Sequence, residues 1–111
     1  MRIIICDDNI EFAKELSLLL KNFFNIKGIK APEIVTFYSG EDLLNDKYQK
    51  DIVFLDIQMP GIDGLSTGHT LYAQNNNVII LIITSFSEYL DDAMRFNVFR
   101  YISKPLNTDR L

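Results

Sequence analysis

Three stretches of this chain are apolar almost without interruption: RIIIC at 2–6, DIVFLDI at 51–57 and VIILIIT at 78–84. A strand with one wet face alternates apolar and polar side chains, whereas an unbroken run needs cover on both faces. EIVTFY at 33–38 and VFRYIS at 98–103 read as two further strands. The cover lies between them. Phe12, Leu16, Leu19, Leu20 and Phe23 recur at helical spacing, so residues 10–25 form an amphipathic helix that Lys27-Gly28 closes. Ser39, with Asp42 three places on, opens a short second helix. Residues 64–75 and 87–96 form a third and a fourth, the latter capped by Ser87, and KPLNTDRL begins a last one. Ser66, Thr67, Gly68, His69 and Thr70 weaken the third helix, because an interior Gly alone costs roughly 1 kcal/mol against Ala. Strands alternating with helices imply right-handed crossovers and a mostly parallel sheet, an α/β fold.

The bounds on partners are few but useful. A length of 111 residues suits one domain, 1–111, with no internal linker or repeat. The net charge of −4 argues against nucleic acid or an anionic membrane as a direct partner. The single cysteine, Cys6, excludes an internal disulfide framework and fits a reducing compartment. No apolar run is long enough for a signal peptide or a membrane span, so a cytoplasmic location is expected.

In open α/β sheets, ligands bind beyond the carboxyl ends of the strands. Those ends deliver Asp7 and Asp8, then Asp56, then Thr84 and Ser85, then Lys104. Adjacent carboxylates leaving a buried strand repel each other and lose water, a cost that a divalent cation offsets. Three carboxylates, with no His nearby and with Cys6 read as part of the buried strand, make a hard-oxygen site, suited to Mg²⁺ rather than zinc. A hydroxyl at Thr84 and an ammonium at Lys104 add what a transferring phosphoryl group needs. Asp56, ending the central strand before the QMPGIDG loop, is the candidate nucleophile for an acyl phosphate. Each residue alone has a plainer reading. DD after a strand is usually a solvated turn, Lys104 a surface lysine, Thr84 a strand end or cap, and Tyr101 a core aromatic. His69 reads as exposed and idle, Cys6 as a small core residue, and Asp63 as a turn or cap residue. The convergence on one sheet edge is what outweighs these.

The motifs IIICDDN, VFLDIQMPGIDG, LIITS and YISKP, in that order, resemble the receiver domain of bacterial response regulators across essentially the whole chain. The resemblance implies a flavodoxin-like, doubly wound sheet of five parallel strands in the order 2-1-3-4-5. It implies that Asp56 is the phosphoacceptor, charged by a sensor histidine kinase. Asp8 would ligate Mg²⁺ directly, Asp7 would hold a metal-bound water or share the ligation, and Gln58 would offer its backbone carbonyl. Thr84 would reach the phosphoryl oxygen and Lys104 would pair with it. Tyr101 would be the rotameric switch, turning into space that Thr84 vacates. Pro105 implies a cis peptide after Lys104. The face made by the fourth helix and fifth strand would change on phosphorylation and offer a homodimer surface. The stretch IITSFSEYLDDAMRFNVFRYISKPL looks like regulators with a LytTR-type DNA-binding output, so DNA would be reached only through an output domain absent from this chain. STGHTLYAQNNN lacks the apolar and basic pattern of that subgroup, a departure that bears on the regularity of the third helix and not on the acidic site.

Two other classes compete. A Mg²⁺-dependent phosphohydrolase with an aspartyl nucleophile usually carries a second carboxylate two residues later, where this chain has Gln58. A flavin-binding module would need a phosphate-cradling loop after the first strand, where CDDNIEF places negative charge. The domain's output is then binding, and it is expected to be no enzyme beyond its own phosphorylation and hydrolysis. The last helix reads as truncated, since only LNTDRL follows Lys104-Pro105. Leu18, Phe99 and Tyr101 are accordingly expected to be partly bare and to favour self-association around the fifth strand.

Overall fold

The unbroken runs pair side by side as parallel strands. The computed structural model describes residues 1–84 and 98–104, with the side chains of 84 and 98–103 outside that set. The elements are β1 (Arg2–Cys6), α1 (Ile10–Ile26), β2 (Glu33–Phe37), α2 (Gly40–Asn45), β3 (Ile52–Asp56), α3 (Gly64–Gln74), β4 (Ile79–Thr84) and β5 (Val98–Ser103). The sheet runs β2-β1-β3-β4-β5, every pair parallel. The fourth helix at 87–96, the last helix and the Lys104-Pro105 peptide lie outside the described residues.

Alternate residues of each strand face opposite layers. Ile4, Cys6, Val53, Leu55, Ile80 and Ile82 pack with Leu43 of α2 and Leu71 of α3. Ile3, Ile5, Phe54 and Ile83 pack with Phe12, Ala13 and Leu16 of α1. Ile3, Ile4 and Ile5 are at most 2% exposed, and burying each contributes on the order of 1.5–3 kcal/mol. A one-residue slip would exchange the two faces of a strand, so this burial sets the register and with it what leaves the sheet at each strand end.

The helices begin and end for local reasons. Asn9 accepts from the Phe12 N–H at 3.1 Å to cap α1, and Gly28 at φ +67° lets the chain leave it. Ser39 accepts from the Asp42 N–H at 3.1 Å to cap α2. At the opposite pole from the strand ends, Arg2 grips Asp46 with two bonds of 2.6 and 3.1 Å, while Lys50 lies 3.1 Å from the same carboxylate. The Arg2 bond, ahead of the opposing effect of burial, holds the Asp46 carboxyl below its usual range. Among the described residues no helix is long and apolar enough to cross a membrane.

The third helix is more regular than its composition implies. It runs unbroken for 11 residues, capped by Asp63, whose Oδ1 accepts from the Ser66 N–H at 2.8 Å. Its small residues are where it meets its neighbours: Gly64, Thr67 and Gly68 are buried. A Cβ on Gly64 would collide with the Asp56 carbonyl oxygen and the Ile57 Cα. Low helix propensity is the cost of bringing a helix backbone against the end of β3. Gly64→Ala should therefore destabilise the protein by about 1–3 kcal/mol in urea unfolding, despite alanine's better propensity. A stabilised Gly64→Ala would show that close approach does not govern this position.

Candidate acidic site at the strand ends

Asp7 and Asp56 meet because β1 and β3 are neighbours with Cys6 beside Leu55. Each strand then releases an aspartate at the same level. Both aspartates turn in the same way: Asp7 Oδ1 accepts from the Asn9 N–H at 2.9 Å, and Asp56 Oδ1 from the Gln58 N–H at 3.2 Å. That leaves Oδ2 of each for another charge. Lys104 Nζ, reaching in from the end of β5, lies 2.9 Å from Asp7 Oδ2 and 3.6 Å from Asp56 Oδ2. It also stands 4.4 Å from the centre of the Phe12 ring, which supports the ammonium through a cation–π contact.

The electrostatics are those of an incompletely neutralised pair. Asp7 is 2% exposed and Asp56 5%, whereas Asp8 is exposed. Burial, then the Asp7 charge, raise the Asp56 carboxyl to about 6, with Lys104 and the Gln58 N–H acting against them. Asp7 Oδ2 is buried, and among the described residues its close partner is the Lys104 ammonium at 2.9 Å. Asp7, Asp8 and Asp56 each offer an oxygen within 4.8 Å of the others. Two buried carboxylates sharing one ammonium, with Asp8 completing an all-oxygen donor set, fit a hard divalent cation such as Mg²⁺.

Of the residues read from the sequence, Asp7, Asp8, Asp56 and Lys104 are thus brought together. Gln58 follows Asp56 at the start of the loop, its side chain exposed. Thr84 ends β4 one residue beyond Ile83, the neighbour of Asp56, and Tyr101 lies in β5 beside Ile82. The side chains of Thr84 and Tyr101 are outside the described residues, as are Ser85 and Phe99's side chain. Leu18 is 67% exposed on α1. Cys6 is buried, with its thiol pushed up to about 12 by burial and the aspartate charges, so it stays a neutral core residue. His69 is exposed on α3. Two contributors escaped the sequence reading. Phe12 looked like one more core position, although its place three residues after the Asn9 cap puts it at the strand-end edge. Glu41, on α2, accepts from the Ile62 N–H across the loop, and nothing local in sequence marks that contact.

The raised Asp56 carboxyl has a signed consequence. Without metal, the folded protein keeps the Asp56 proton up to about pH 6, while the unfolded chain releases it near 3.8. Rising pH across that window therefore costs stability, and the full penalty is present above about 6. In chelator, Asp56→Asn should melt higher than wild type at pH 7, with the gap closing towards pH 4. A gap that widens on acidification would contradict the burial argument.

The response regulator receiver domain family model matches residues 3–111. The chain is 32% identical over 114 residues to the transcriptional regulatory protein YpdB of Escherichia coli K12, covering 100% of this chain and 44% of YpdB. It is 28% identical over 113 residues to the sensory transduction protein LytT of Bacillus anthracis, covering 100% of this chain and 44% of LytT. The response regulator TrrA of Thermotoga maritima, solved in complex with Mg²⁺-BeF, matches with a TM-score of 0.75 at 31% identity, covering 98% of this chain and 90% of TrrA. The chain spans less than half the length of these curated relatives. With strands in the order 2-1-3-4-5 and an aspartate cluster at their carboxyl ends, this chain belongs to the response regulator receiver family of two-component signalling systems.

Proposed function

We propose that Asp56 accepts a phosphoryl group from a phosphohistidine of a sensor histidine kinase, and that the phosphorylated state changes the output face of the domain. The observation that carries this reading is Lys104 Nζ held between Asp7 and Asp56, 2.9 Å from one and 3.6 Å from the other. The looser contact leaves Asp56 Oδ2 available to attack phosphorus. The new bond is between that oxygen and phosphorus, and the bond to the donor imidazole breaks. Lys104 neutralises charge on the moving phosphoryl oxygens. Asp7, Asp8, Asp56 and the Gln58 carbonyl would hold Mg²⁺, which supplies further charge neutralisation when bound. Receiver domains bind Mg²⁺ at an acidic pocket, and TrrA with Mg²⁺-BeF supports carrying that ligand class to this chain.

Thr84 would then reach a phosphoryl oxygen and Tyr101 would turn, shifting the population towards an active form. The face of the fourth helix and fifth strand would carry that change to a second copy of the domain. Residues 1–111 would act as one receiver unit, with a LytTR-type DNA-binding output elsewhere in the protein and a cytoplasmic site of action. The similarity to YpdB and LytT supports this finer assignment. The output is binding rather than turnover, so the domain would be no enzyme beyond its own phosphorylation and dephosphorylation.

Intact mass after treatment with acetyl phosphate and Mg²⁺ tests the assignment. Wild type should gain one phosphoryl group, and Asp56→Asn, or wild type in excess chelator, should gain none. Modification that persists in Asp56→Asn would sink it, and steady phosphate release from simple monoesters would favour a phosphohydrolase. Mg²⁺ should also raise the melting midpoint near neutral pH, by about 1.4 kcal/mol of stability at a concentration ten times its dissociation constant. Asp8→Ala should shrink that gain even if it stabilises the metal-free protein; an unchanged midpoint in millimolar-range Mg²⁺ would count against a formed site.

A further inference from the structure

The β3–α3 loop, 57–63, begins with the backbone that would present the Gln58 carbonyl to a metal. A carbonyl cannot reorient by itself, so its position is set by whatever holds the loop. Two restraints are those of any turn packed on a sheet. The Gly64 N–H donates to the Ile57 carbonyl at 3.1 Å and closes the base. Met59, 7% exposed, sinks into the core with its Sδ 3.9 Å from Cys6 Sγ. The third restraint comes from another element. Glu41, in the first turn of α2, accepts from the Ile62 N–H through Oε1 at 3.0 Å.

The glycines on either side show how close this seam is. Gly61 has φ +80°, and a Cβ there would lie 2.6 Å from Glu41 Oε2 and 3.0 Å from Oε1. The carboxylate therefore sits directly over the loop backbone. A Cβ on Gly40, one residue before Glu41, would lie 2.9 Å from the Ile62 carbonyl oxygen and collide with Thr67 Oγ1. The start of α2 thus meets the loop backbone at both residues, and the bond between them is a charge-assisted one.

We propose that Glu41 is a positioning residue for the metal site: by holding the Ile62 N–H it fixes the loop that presents the Gln58 carbonyl, and so raises divalent-cation affinity without touching the cation. The proposal rests on the reading of the acidic cluster as a Mg²⁺ site. Outer partners of metal ligands typically matter by 10- to 100-fold in affinity, and a solvent-exposed bond acting on one of several ligands belongs below that, at about 3- to 10-fold.

Mg²⁺ titration calorimetry and amide hydrogen exchange of the metal-free protein test it together. Glu41→Ala should weaken Mg²⁺ binding about 3- to 10-fold and speed exchange across 57–64, with unchanged far-UV dichroism. Glu41→Gln keeps the acceptor oxygen and loses the charge; it should stay within about twofold of wild type in affinity and protect the loop. In phosphorylation by acetyl phosphate, Glu41→Ala should need more Mg²⁺ for half-maximal rate and reach the wild-type rate at saturation. Equal weakening by Ala and Gln would mean that charge alone acts, and would overturn the positioning role. Normal affinity in Glu41→Ala would overturn it as well while leaving the metal reading intact. A wild type that binds no Mg²⁺ would overturn both, and the exchange data would still report whether the loop was held.

Discussion

Everything at the functional edge depends on two aspartates being carried out of water side by side. Asp7 and Asp56 are placed there by strand pairing, and strand pairing is set by aliphatic burial. Three consecutive isoleucines in β1, each contributing on the order of 1.5–3 kcal/mol, outweigh the repulsion of a carboxylate pair at the strand ends. The fold thus spends hydrophobic stability to hold like charges together. Lys104 relieves that repulsion only in part: one ammonium serves two carboxylates, and one contact is close, the other loose. Such a site is poised for a cation and for an anionic group that the ammonium can meet.

The rest of the structure shields this arrangement. Asn9 and Gln58 each give a backbone N–H to an aspartate, so the local turns orient the carboxylates before any ligand arrives. Phe12 flanks the Lys104 ammonium. Gly64 allows α3 to begin against the backbone of Asp56 and Ile57. At the other end of the sheet, Arg2 and Lys50 meet Asp46 in short contacts, and Glu33, 3.8 Å from Arg2, brings the cluster to charge balance. The two poles differ in kind. One is balanced and structural, while the other gathers three carboxylates around one ammonium.

The strands were legible because a short, unbroken apolar run fits little besides a strand covered on both faces. The acidic site was legible because each of its residues sits where such a run stops. Lys104 was legible for the same reason, 97 positions from Asp7 in sequence yet at the same edge. The third helix was legible at 64–75, but its regularity was underrated, because propensity counts what a residue costs a helix and not how near the helix must come to a strand. Gly64 makes sense only once the Asp56 backbone is seen beside it, and Thr67 once Gly40 of α2 is. Glu41 and Arg2 were missed because their partners lie 21 and 44 residues away with no periodic pattern linking them.

The most direct test is a crystal structure of this chain with Mg²⁺ and beryllium fluoride. The account predicts a beryllium trifluoride group whose beryllium is bonded to an Asp56 carboxylate oxygen and is thereby tetrahedral, with Lys104 beside it. It also predicts a cation contacting Asp56, the Gln58 carbonyl and Asp7 or Asp8. A beryllium trifluoride group on another residue, or a cation seated away from these aspartates, would contradict it.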